Sequence, residues 1–267
     1  MSQVQISAGQ VKELRDRTGA GMMAAKRALE ETGGDVDAAQ RLLREQGMAA
    51  AGKKAGRATT EGEVLSTISA NVGVLVAVGC ETEPVSKTRE FLDFAEAVLE
   101  AVESGGADAA EGFEEQRLEL VGKLGEQVEI RGAARLEAAD RELLAEYVHP
   151  PANKIGVLVK LRSGDPALGR RVAQHISFGA PRYRTADEIP EEELAEERAI
   201  YEQQPDVQSK PDEVRQKIVE GRLRKEFLSA IALSEQAWIH DTSVTVAKAL
   251  QEAGAEVVEF VRYALAE

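Results

Sequence analysis

The sequence predicts an α+β fold, and three observations carry that prediction. Helical periodicity fills the first 47 residues, strand-like apolar runs begin after Glu61, and helical periodicity returns between residues 188 and 228. Strands that come in groups, with helices packed on them, are typical of α+β proteins, whereas strands that alternate singly with helices are typical of parallel sheets. A chain of 267 residues has room for one large domain or for two or three small ones.

The N-terminal segment predicts three short helices. Ser7 followed by Gln10 has the spacing of a capping box, which marks the start of the first helix. We expect glycines to end the helices, with Gly19 and Gly21 in the turn after the first helix and Gly47 after the third. Three helices in so short a segment enclose a very small core, so we expect a docking domain here rather than an enzyme.

Charge is distributed unevenly along the chain. Residues 1–60 contain ten basic and seven acidic residues, whereas residues 61–267 contain 23 basic and 40 acidic residues. Such a break indicates a domain boundary, and the small and basic residues of segment 48–60 predict a linker. The net charge of −14 argues against nucleic acid as a direct partner, because that binding depends on Lys and Arg neutralising phosphates.

Residues 64–68 and 74–78 are strand-like and predict a β-hairpin. We expect Asn71 and Gly73 to supply the positive φ angles that its turn needs. The elements expected after it are a helix from about Lys87 with an apolar stripe between Phe91 and Val102, a helix through Val121, strands over 127–131 and from Arg135 to Val148, a strand over 155–159, a helix through His175, and a final helix and strand over 245–252 and 256–264.

Residues 188–228 predict two helices that form an αα-hairpin. Pro190 and Pro211 each precede acidic residues, and this combination is favourable in the first turn of a helix. The second helix carries apolar residues four positions apart, which must be buried on the protein body, on a partner or on a second copy of the chain. The hairpin therefore permits a homodimer through residues 188–228.

The sequence contains no obvious catalytic or metal-binding constellation. The single cysteine, Cys80, excludes internal disulfides and Cys-rich zinc sites, and we expect it to be buried. Glu81 and Glu83 follow a strand and have side chains suited to acid–base chemistry, but Thr82 between them could equally cap the next helix. His175 lies in an apolar helical stripe, which is more typical of a core histidine than of a functional one. We therefore expect no metal and no cofactor.

The sequence also bears on localisation. It has no apolar run of about 18 residues, which a membrane-spanning helix requires. Its first ten residues contain neither the basic nor the apolar segment of a signal peptide. We therefore expect a soluble, cytoplasmic protein without a membrane partner.

The order of several motifs resembles that of the bacterial elongation factor Ts family. The stretch from Val11 to Met23 is similar to the family's N-terminal signature. Four further stretches lie where the family has counterparts, namely Gly79–Thr82, Val172–Ile176, Lys217–Leu223 and Glu259–Tyr263. The resemblance covers nearly the whole chain, and the first and fourth of these five stretches are the most specific.

The resemblance implies a domain organisation in addition to the fold class. It implies a three-helix domain like a ubiquitin-associated domain over residues 1–47, a linker over 48–60, an N-terminal core subdomain over 61–148, a C-terminal core subdomain formed by 149–187 and 229–267, and an inserted helical hairpin over 188–228. The sheets of both core subdomains are then expected to be antiparallel.

The resemblance further implies guanine-nucleotide exchange on elongation factor Tu, without catalytic chemistry in the exchange factor itself. By this resemblance the segment Thr82, Glu83, Pro84 and Val85 displaces Mg²⁺ from the GTPase, so that GDP leaves, and the factor stays bound until GTP binds. Arg17, Met22 and Met23 would contact the GTPase domain, and His175 would belong to the half of the core that faces the other domains of the partner.

One departure from the family pattern bears on activity. The family usually has Thr-Asp-Phe-Val where this chain has Thr82-Glu83-Pro84-Val85. Burying a phenylalanine side chain is worth roughly 1.5–3 kcal/mol, so we expect slower exchange than in a typical member. This leaves a second hypothesis, a paralogue that binds the GTPase with weakened exchange. A third, a small-molecule enzyme of α+β fold, would need clustered titratable groups in a pocket.

Overall fold

A computed structural model describes residues 6–52, 54 and 56–266 of the chain. Residues 1–5, 53, 55 and 267, which belong to the predicted domain 1–47, the predicted linker and the C-terminal segment, lie outside the described residues. Two compact units divide the chain: one holds the described residues up to Leu65, Val76–Ala133 and those from Ala264 on, and the other holds Ser66–Leu75 and Ala134–Tyr263. The domain boundaries that the resemblance implies stay a prediction.

The N-terminal segment forms three helices, α1 (Ala8–Thr18), α2 (Met22–Glu31) and α3 (Val36–Gly52). The predicted capping box of α1 is confirmed, since Ser7 Oγ accepts a hydrogen bond from Gln10 N at 3.2 Å and Gln10 Oε1 accepts one from Ser7 N at 3.0 Å. The three helices enclose a small core of Leu14, Ala25, Ala28, Leu29 and Ala39. The likeness to a ubiquitin-associated domain stays a prediction.

The next elements are β1 (Glu61–Ser69), β2 (Val72–Cys80), α4 (Glu83–Ser86), α5 (Arg89–Gly105), α6 (Glu114–Leu124) and β3 (Val128–Glu137). A sheet forms in the order β1-β2-β3. α5 buries the predicted apolar stripe, namely Phe91, Phe94, Ala95, Val98 and Val102. A 3₁₀ segment, Ala107–Phe113, joins α5 to α6 and brings Phe113 edge-on to Phe94, with 6.0 Å between the ring centroids.

Two predictions about glycines were wrong, one for Gly73 in the β1–β2 turn and one for Gly47 in α3. The turn of the β1–β2 hairpin takes its positive φ at Ala70 (53°) rather than at Asn71 or Gly73, because Gly73 already belongs to β2. A Cβ atom on Gly73 would lie 2.8 Å from Leu158 Cδ1, so close packing is what requires the glycine.

Gly47 does not end α3, which continues to Gly52. A Cβ atom on Gly122 of α6 would lie only 2.8 Å from Gly47 Cα. Gly122 therefore allows the backbones of α3 and α6 to approach each other closely at Gly47. α3 extends into the segment that the sequence predicts as a linker.

The remaining elements are β4 (Glu142–Val148), β5 (Ile155–Arg162), α7 (Pro166–Gly179), α8 (Glu191–Glu202), α9 (Pro205–Gln208), α10 (Asp212–Arg222), α11 (Ser229–Ile231), β6 (Ala237–Trp238), β7 (Asp241–Thr245), α12 (Val246–Glu252) and β8 (Glu256–Ala264). The strand predicted from Arg135 to Val148 is interrupted at Arg141, whose φ is +66°, so that β3 and β4 are separate.

A second sheet has the order β4-β5-β8, and a two-stranded antiparallel ribbon joins β6 to β7. β4 and β5 are antiparallel, with Leu144 opposite Lys160. α7 approaches β4 closely at Gly169, where a Cβ atom would lie 2.7 Å from Ala145 Cβ. The mixture of helices with antiparallel sheets confirms the α+β fold class.

The segment predicted as an αα-hairpin contains α8, the one-turn α9 and α10. Tyr201, Val207, Val219 and Leu223 form its own small core, and Arg198 bridges Glu191 and Glu220 at 2.9 Å each. Ile200 and Val214 remain exposed. The predicted homodimer through residues 188–228 stays a prediction. None of the helices in the described part of the chain combines the length and the apolar character that crossing a bilayer requires.

Candidate functional site

The segment that follows β2 is a compact turn with outward-facing side chains. Glu83–Ser86 forms the single helical turn α4 rather than a loop, and Pro84 suits its first positions because its φ is already helical. Ser86 Oγ donates to Glu83 O at 2.8 Å. Thr82, Glu83 and Pro84 are exposed, and Val85 is half-buried. The turn thus presents a carboxylate and a proline ring to solvent on an ordered backbone.

The C-terminal end of the turn is anchored by side chains. Thr88 Oγ1 donates to Val85 O at 2.8 Å and also accepts from Phe91 N, so Thr88 caps α5. Thr82 occupies the N-cap position of the short α4, as predicted, but its side chain makes no capping bond there. Lys87 forms an ion pair with Glu63, a carboxylate that is almost fully buried. These bonds leave the backbone of the turn little freedom at this end.

Two glutamates, Glu81 and Glu126, accept the hydrogen bonds that hold the N-terminal end of the turn. Glu126 accepts hydrogen bonds from Thr82 N at 3.0 Å and from Thr82 Oγ1 at 2.7 Å. In return, Glu81 Oε1 accepts a hydrogen bond from Gln127 N at 2.7 Å. We refer to Glu81, Thr82, Glu126 and Gln127 as the glutamate clasp. Sequence reasoning missed Glu126, because a glutamate after a helix-ending glycine carries no local signal of function.

Glu81 is held in its charged form. The hydrogen bond from Gln127 N, together with Arg57, whose Nη1 lies 3.2 Å from both carboxylate oxygens, lowers the pKa of Glu81. A carboxylate with a lowered pKa and occupied oxygens is a poor general base. Glu81 therefore fits a structural role better than the acid–base role that its position near Glu83 allowed. Cys80, just before it, is fully buried as predicted.

The three predicted N-terminal contact residues lie in the α1–α2 region. Met22 and Met23 are 60% and 62% exposed, respectively, which is unusual for large apolar side chains. Arg17 pairs with Asp37 at 2.9 Å and also with Glu13. Flexible methionine side chains adapt well to a partner surface, so this region is suited to apolar contact.

A groove of about 900 Å³ lies between the α1–α2 turn and helices α3, α5 and α6. The alkyl chain of Lys123 covers Gly19, where a Cβ atom would lie 2.1 Å from Lys123 Cε, and its Nζ lies 3.2 Å from Glu90. Arg44 of α3 pairs with Glu115 and with Glu119 of α6, the latter at 2.8 Å. The α1–α2 turn and α3 are therefore held against α5 and α6, the helices that follow the Thr82–Val85 turn in the sequence.

His175 lies in the core of the second unit and is only 1% exposed. Gln236 Nε2 donates to the carbonyls of Gly179 and Ala230, so Gln236 Oε1, at 2.9 Å, must accept the proton on His175 Nε2. His175 Nδ1 then accepts from Ile239 N at 3.3 Å. Both nitrogens are satisfied by a neutral ring, and burial lowers the pKa of His175. The side chain itself has no access to a partner surface.

A smaller cavity of about 630 Å³ is lined by acidic side chains, including Asp108, Glu111, Glu114 and Glu129. Glu114 lies 2.7 Å from the Arg117 guanidinium, which lowers the pKa of that carboxyl. Within residues 6–52, 54 and 56–266, no group of three or more His, Cys, Asp or Glu side chains is arranged to hold a metal ion.

Comparison with known proteins agrees with the resemblance seen in the motifs. A family model described as elongation factor Ts matches residues 81–267. Elongation factor Ts from Methylococcus capsulatus is 40% identical over 98% of this chain and 92% of its own length. The proteins of the same name from Thioalkalivibrio sulfidiphilus and Psychromonas ingrahamii are 43% and 38% identical, over 98% and 99% of this chain and 92% of each relative. The chain therefore belongs to the elongation factor Ts family of translation elongation factors.

Proposed function

We propose that the chain acts in the cytoplasm as a guanine-nucleotide exchange factor for elongation factor Tu. It binds the GDP-bound GTPase, displaces Mg²⁺ so that GDP leaves, and remains bound until GTP binds. The observation that carries this proposal is the turn Thr82–Val85, which exposes Glu83 and Pro84 on a backbone held at both ends. Family membership supports the same conclusion.

Such an exchange needs binding energy and no catalytic chemistry. A factor that binds the nucleotide-free GTPase more tightly than the GDP-bound form weakens GDP binding by the same factor, because the two equilibria are linked. Each tenfold weakening requires about 1.4 kcal/mol of differential binding. Displacing Mg²⁺ is effective because the ion offsets the negative charge of the phosphates. We therefore do not regard the chain as an enzyme.

A turn that is ordered before binding suits this task. Inserting a flexible loop into a partner costs conformational entropy, whereas a preorganised segment avoids most of that cost. The bonds to Thr82 and Val85 provide the order, and the exposed Glu83 and Pro84 provide the contact.

The other predicted contacts divide into direct and indirect ones. Met22 and Met23 supply exposed apolar surface for the GTPase domain, and Arg17, in the last turn of α1, supplies a charged contact. His175 acts indirectly, because its ring is buried and accepts the backbone N–H of Ile239, a residue that is itself exposed. It thereby fixes the segment around Ile239, which we assign to the surface that faces the other partner domains.

Release of a fluorescent GDP analogue from elongation factor Tu tests the proposal. We expect the full chain to accelerate release and the charged variant Met22→Glu to raise the concentration needed for half-maximal acceleration. Ala8→Glu, which adds the same single negative charge at an exposed position of α1 outside the Val11–Met23 stretch, is the matched control. A chain that leaves the release rate at its spontaneous value would contradict the proposal.

The second candidate is a paralogue that binds the GTPase with weakened exchange. Pro84 favours it, since a proline ring buries less apolar surface than the phenylalanine of the family pattern. The same assay separates the two candidates when binding to nucleotide-free elongation factor Tu is measured in parallel. Tight binding with little acceleration would identify the paralogue.

A further inference from the structure

We propose that Glu126 is a positioning residue that sets how fast GDP is released, by fixing the Thr82–Val85 turn in its binding-competent conformation. This inference rests on the proposed function, because it assigns Glu126 a part in the same event. Glu126 lies outside the turn and outside the segments that carry the family resemblance in the sequence.

The contact between Glu126 and Thr82 restrains the turn where the chain leaves β2. One carboxylate oxygen accepts the backbone N–H and the other accepts the hydroxyl, at 3.0 and 2.7 Å. Hydrogen bonds to an ionised acceptor are shorter and stronger than neutral ones. These two bonds fix both the backbone and the side-chain rotamer of Thr82, which is the residue immediately before the first helical residue of α4.

Glu126 is itself in a well-defined place. Gly125 ends α6 in the left-handed conformation, with φ of +77°, and its N–H bonds to Val121 O at 3.0 Å. Glu126 is the next residue, and Gln127 after it is almost fully buried. The end of α6 therefore supplies a fixed platform for the carboxylate.

The second half of the clasp makes the arrangement reciprocal. Glu81 and Thr82 form one pair of adjacent residues, and Glu126 and Gln127 form the other. Each pair donates a backbone N–H to a glutamate of the other pair, since Gln127 N donates to Glu81 and Thr82 N donates to Glu126. Arg57 neutralises Glu81 from the outside. Removing the Glu126 side chain therefore leaves the bonds of Glu81 in place and frees the N–H and the hydroxyl of Thr82, whose carbonyl still accepts from Cys80 Sγ at 3.3 Å.

The expected effect is on rate more than on affinity. The turn is four residues, and the other proposed contacts, at Met22, Met23 and the surface around Ile239, lie outside it. An interaction that is used while Mg²⁺ is being displaced lowers the barrier to release and leaves the affinity of the final complex nearly unchanged. Loosening the turn removes this contribution to the release rate.

The test compares Glu126→Ala and Glu126→Gln with the unaltered chain in the fluorescent GDP release assay. We expect Glu126→Ala to lower the maximal release rate roughly tenfold, which corresponds to about 1.4 kcal/mol of activation free energy. The concentration that gives half-maximal acceleration and the affinity for nucleotide-free elongation factor Tu should each change by less than about twofold. Both depend on contacts that are equally strong before and during the displacement of Mg²⁺. Glu126→Gln keeps the shape of the side chain and should retain an intermediate rate.

Two controls separate positioning from a general structural effect. Glu96→Ala removes an exposed carboxylate from α5 in the same unit and should leave the release rate unchanged. In a double-mutant cycle, Thr82→Val removes the hydroxyl bond to Glu126 and keeps the backbone N–H bond, so it should lower the rate less than Glu126→Ala does. The double variant should be no slower than Glu126→Ala alone, because that change already breaks both bonds.

The outcomes distinguish the inference from the proposed function. If the unaltered chain does not accelerate GDP release, the proposed function fails and this inference falls with it. If the unaltered chain accelerates release and Glu126→Ala keeps the full maximal rate, or its effect adds fully to that of Thr82→Val, the inference is overturned while the function stands. A loss of affinity and thermal stability in proportion to the loss of rate would also overturn it.

Discussion

The Thr82–Val85 turn and the His175 site were both assigned to partner binding by resemblance, yet they are built in opposite ways. In the turn, the backbone is held by bonds from Glu126 and Thr88 while the side chains of Glu83 and Pro84 face solvent. At His175, the side chain is buried and both ring nitrogens are bonded within the protein. Only the first arrangement leaves side chains free for direct contact.

The difference indicates how each region should respond to substitution. Changes to an exposed side chain on a fixed backbone affect the interaction with a partner and leave stability nearly unchanged. Changes to a buried side chain with satisfied hydrogen bonds affect stability first, because they leave polar groups unpaired or a cavity unfilled.

The largest expected effect is that of His175→Leu. This change leaves the buried Gln236 Oε1 without its partner, which costs about 1–3 kcal/mol, and it also removes the bond to the N–H of Ile239. We expect the free energy of unfolding, measured with urea, to fall by about 3 kcal/mol. His240→Leu, at an exposed histidine, should cost well under half as much. Equal stability of His175→Leu and the unaltered chain would show that the buried His175 does not stabilise the fold through its hydrogen bonds.

A glycine pair extends the comparison to the N-terminal helices. A Cβ atom on Gly122 would lie 2.8 Å from Gly47 Cα, whereas one on Gly47 would lie 3.4 Å from Gly122 Cα. Overpacking costs about 1–3 kcal/mol, while replacing a helical glycine by alanine gains up to about 1 kcal/mol. Gly122→Ala should therefore destabilise the chain, and Gly47→Ala should be neutral or stabilising in thermal unfolding. Similar melting temperatures for the two variants would show that α3 and α6 do not cross as described.

Pro84→Phe tests the exposed turn. Restoring the ring that the family pattern has at this position should raise the maximal rate of GDP release by roughly tenfold, the lower end of what burying a phenylalanine provides. The melting temperature should change little, because Pro84 faces solvent. Pro84→Ala is the control and should not increase the rate. An unchanged or slower rate with Pro84→Phe would count against the turn as the displacing element.

The smallest effects are those of pH, and the two regions should show them in separate ranges. Burial lowers the pKa of His175, so the unfolded chain binds a proton at higher pH than the folded chain, and stability falls as the pH drops below about 6.5. The hydrogen bond from Gln127 lowers the pKa of Glu81, so its contribution is lost only below about 4.3.

Urea unfolding of the unaltered chain, His175→Leu and Glu81→Gln from above about pH 6.5 to below about pH 4.3 measures both contributions. The part of the slope that each variant removes should stay under about 1.4 kcal/mol per pH unit, the limit for one proton. His175→Leu should reduce the loss in the upper range and Glu81→Gln the loss in the lower one, where Glu114 also contributes. An unchanged slope in either variant would place the responsible groups elsewhere.

The sequence predicted local features best. The capping box at Ser7, the buried stripe of α5 and the strand 256–264 follow from spacing and composition alone, and the structure has all three. Burial of His175 was likewise indicated by its apolar stripe, whereas its role toward a partner came only from resemblance.

Features that depend on distant residues could not be predicted. A glycine at position 47 is typical of a helix end, and only the folded chain shows that Gly47 lies inside α3 against Gly122 of α6. The positive φ of Ala70 lies in the turn between β1 and β2 and costs about 1–2 kcal/mol, which no residue preference would suggest. Glu126 lies far from Thr82 in sequence, so the clasp became visible only in the folded chain.

The most direct test of the account is the Mg²⁺ dependence of GDP release. Release of a fluorescent GDP analogue from elongation factor Tu is measured by stopped flow, with and without a saturating amount of the full chain, at high free Mg²⁺ and after chelation. If the turn acts by displacing the ion, the chain should accelerate release strongly at high Mg²⁺, and the acceleration should shrink once Mg²⁺ has been removed. No acceleration at high Mg²⁺, or the same acceleration in both conditions, would contradict the account.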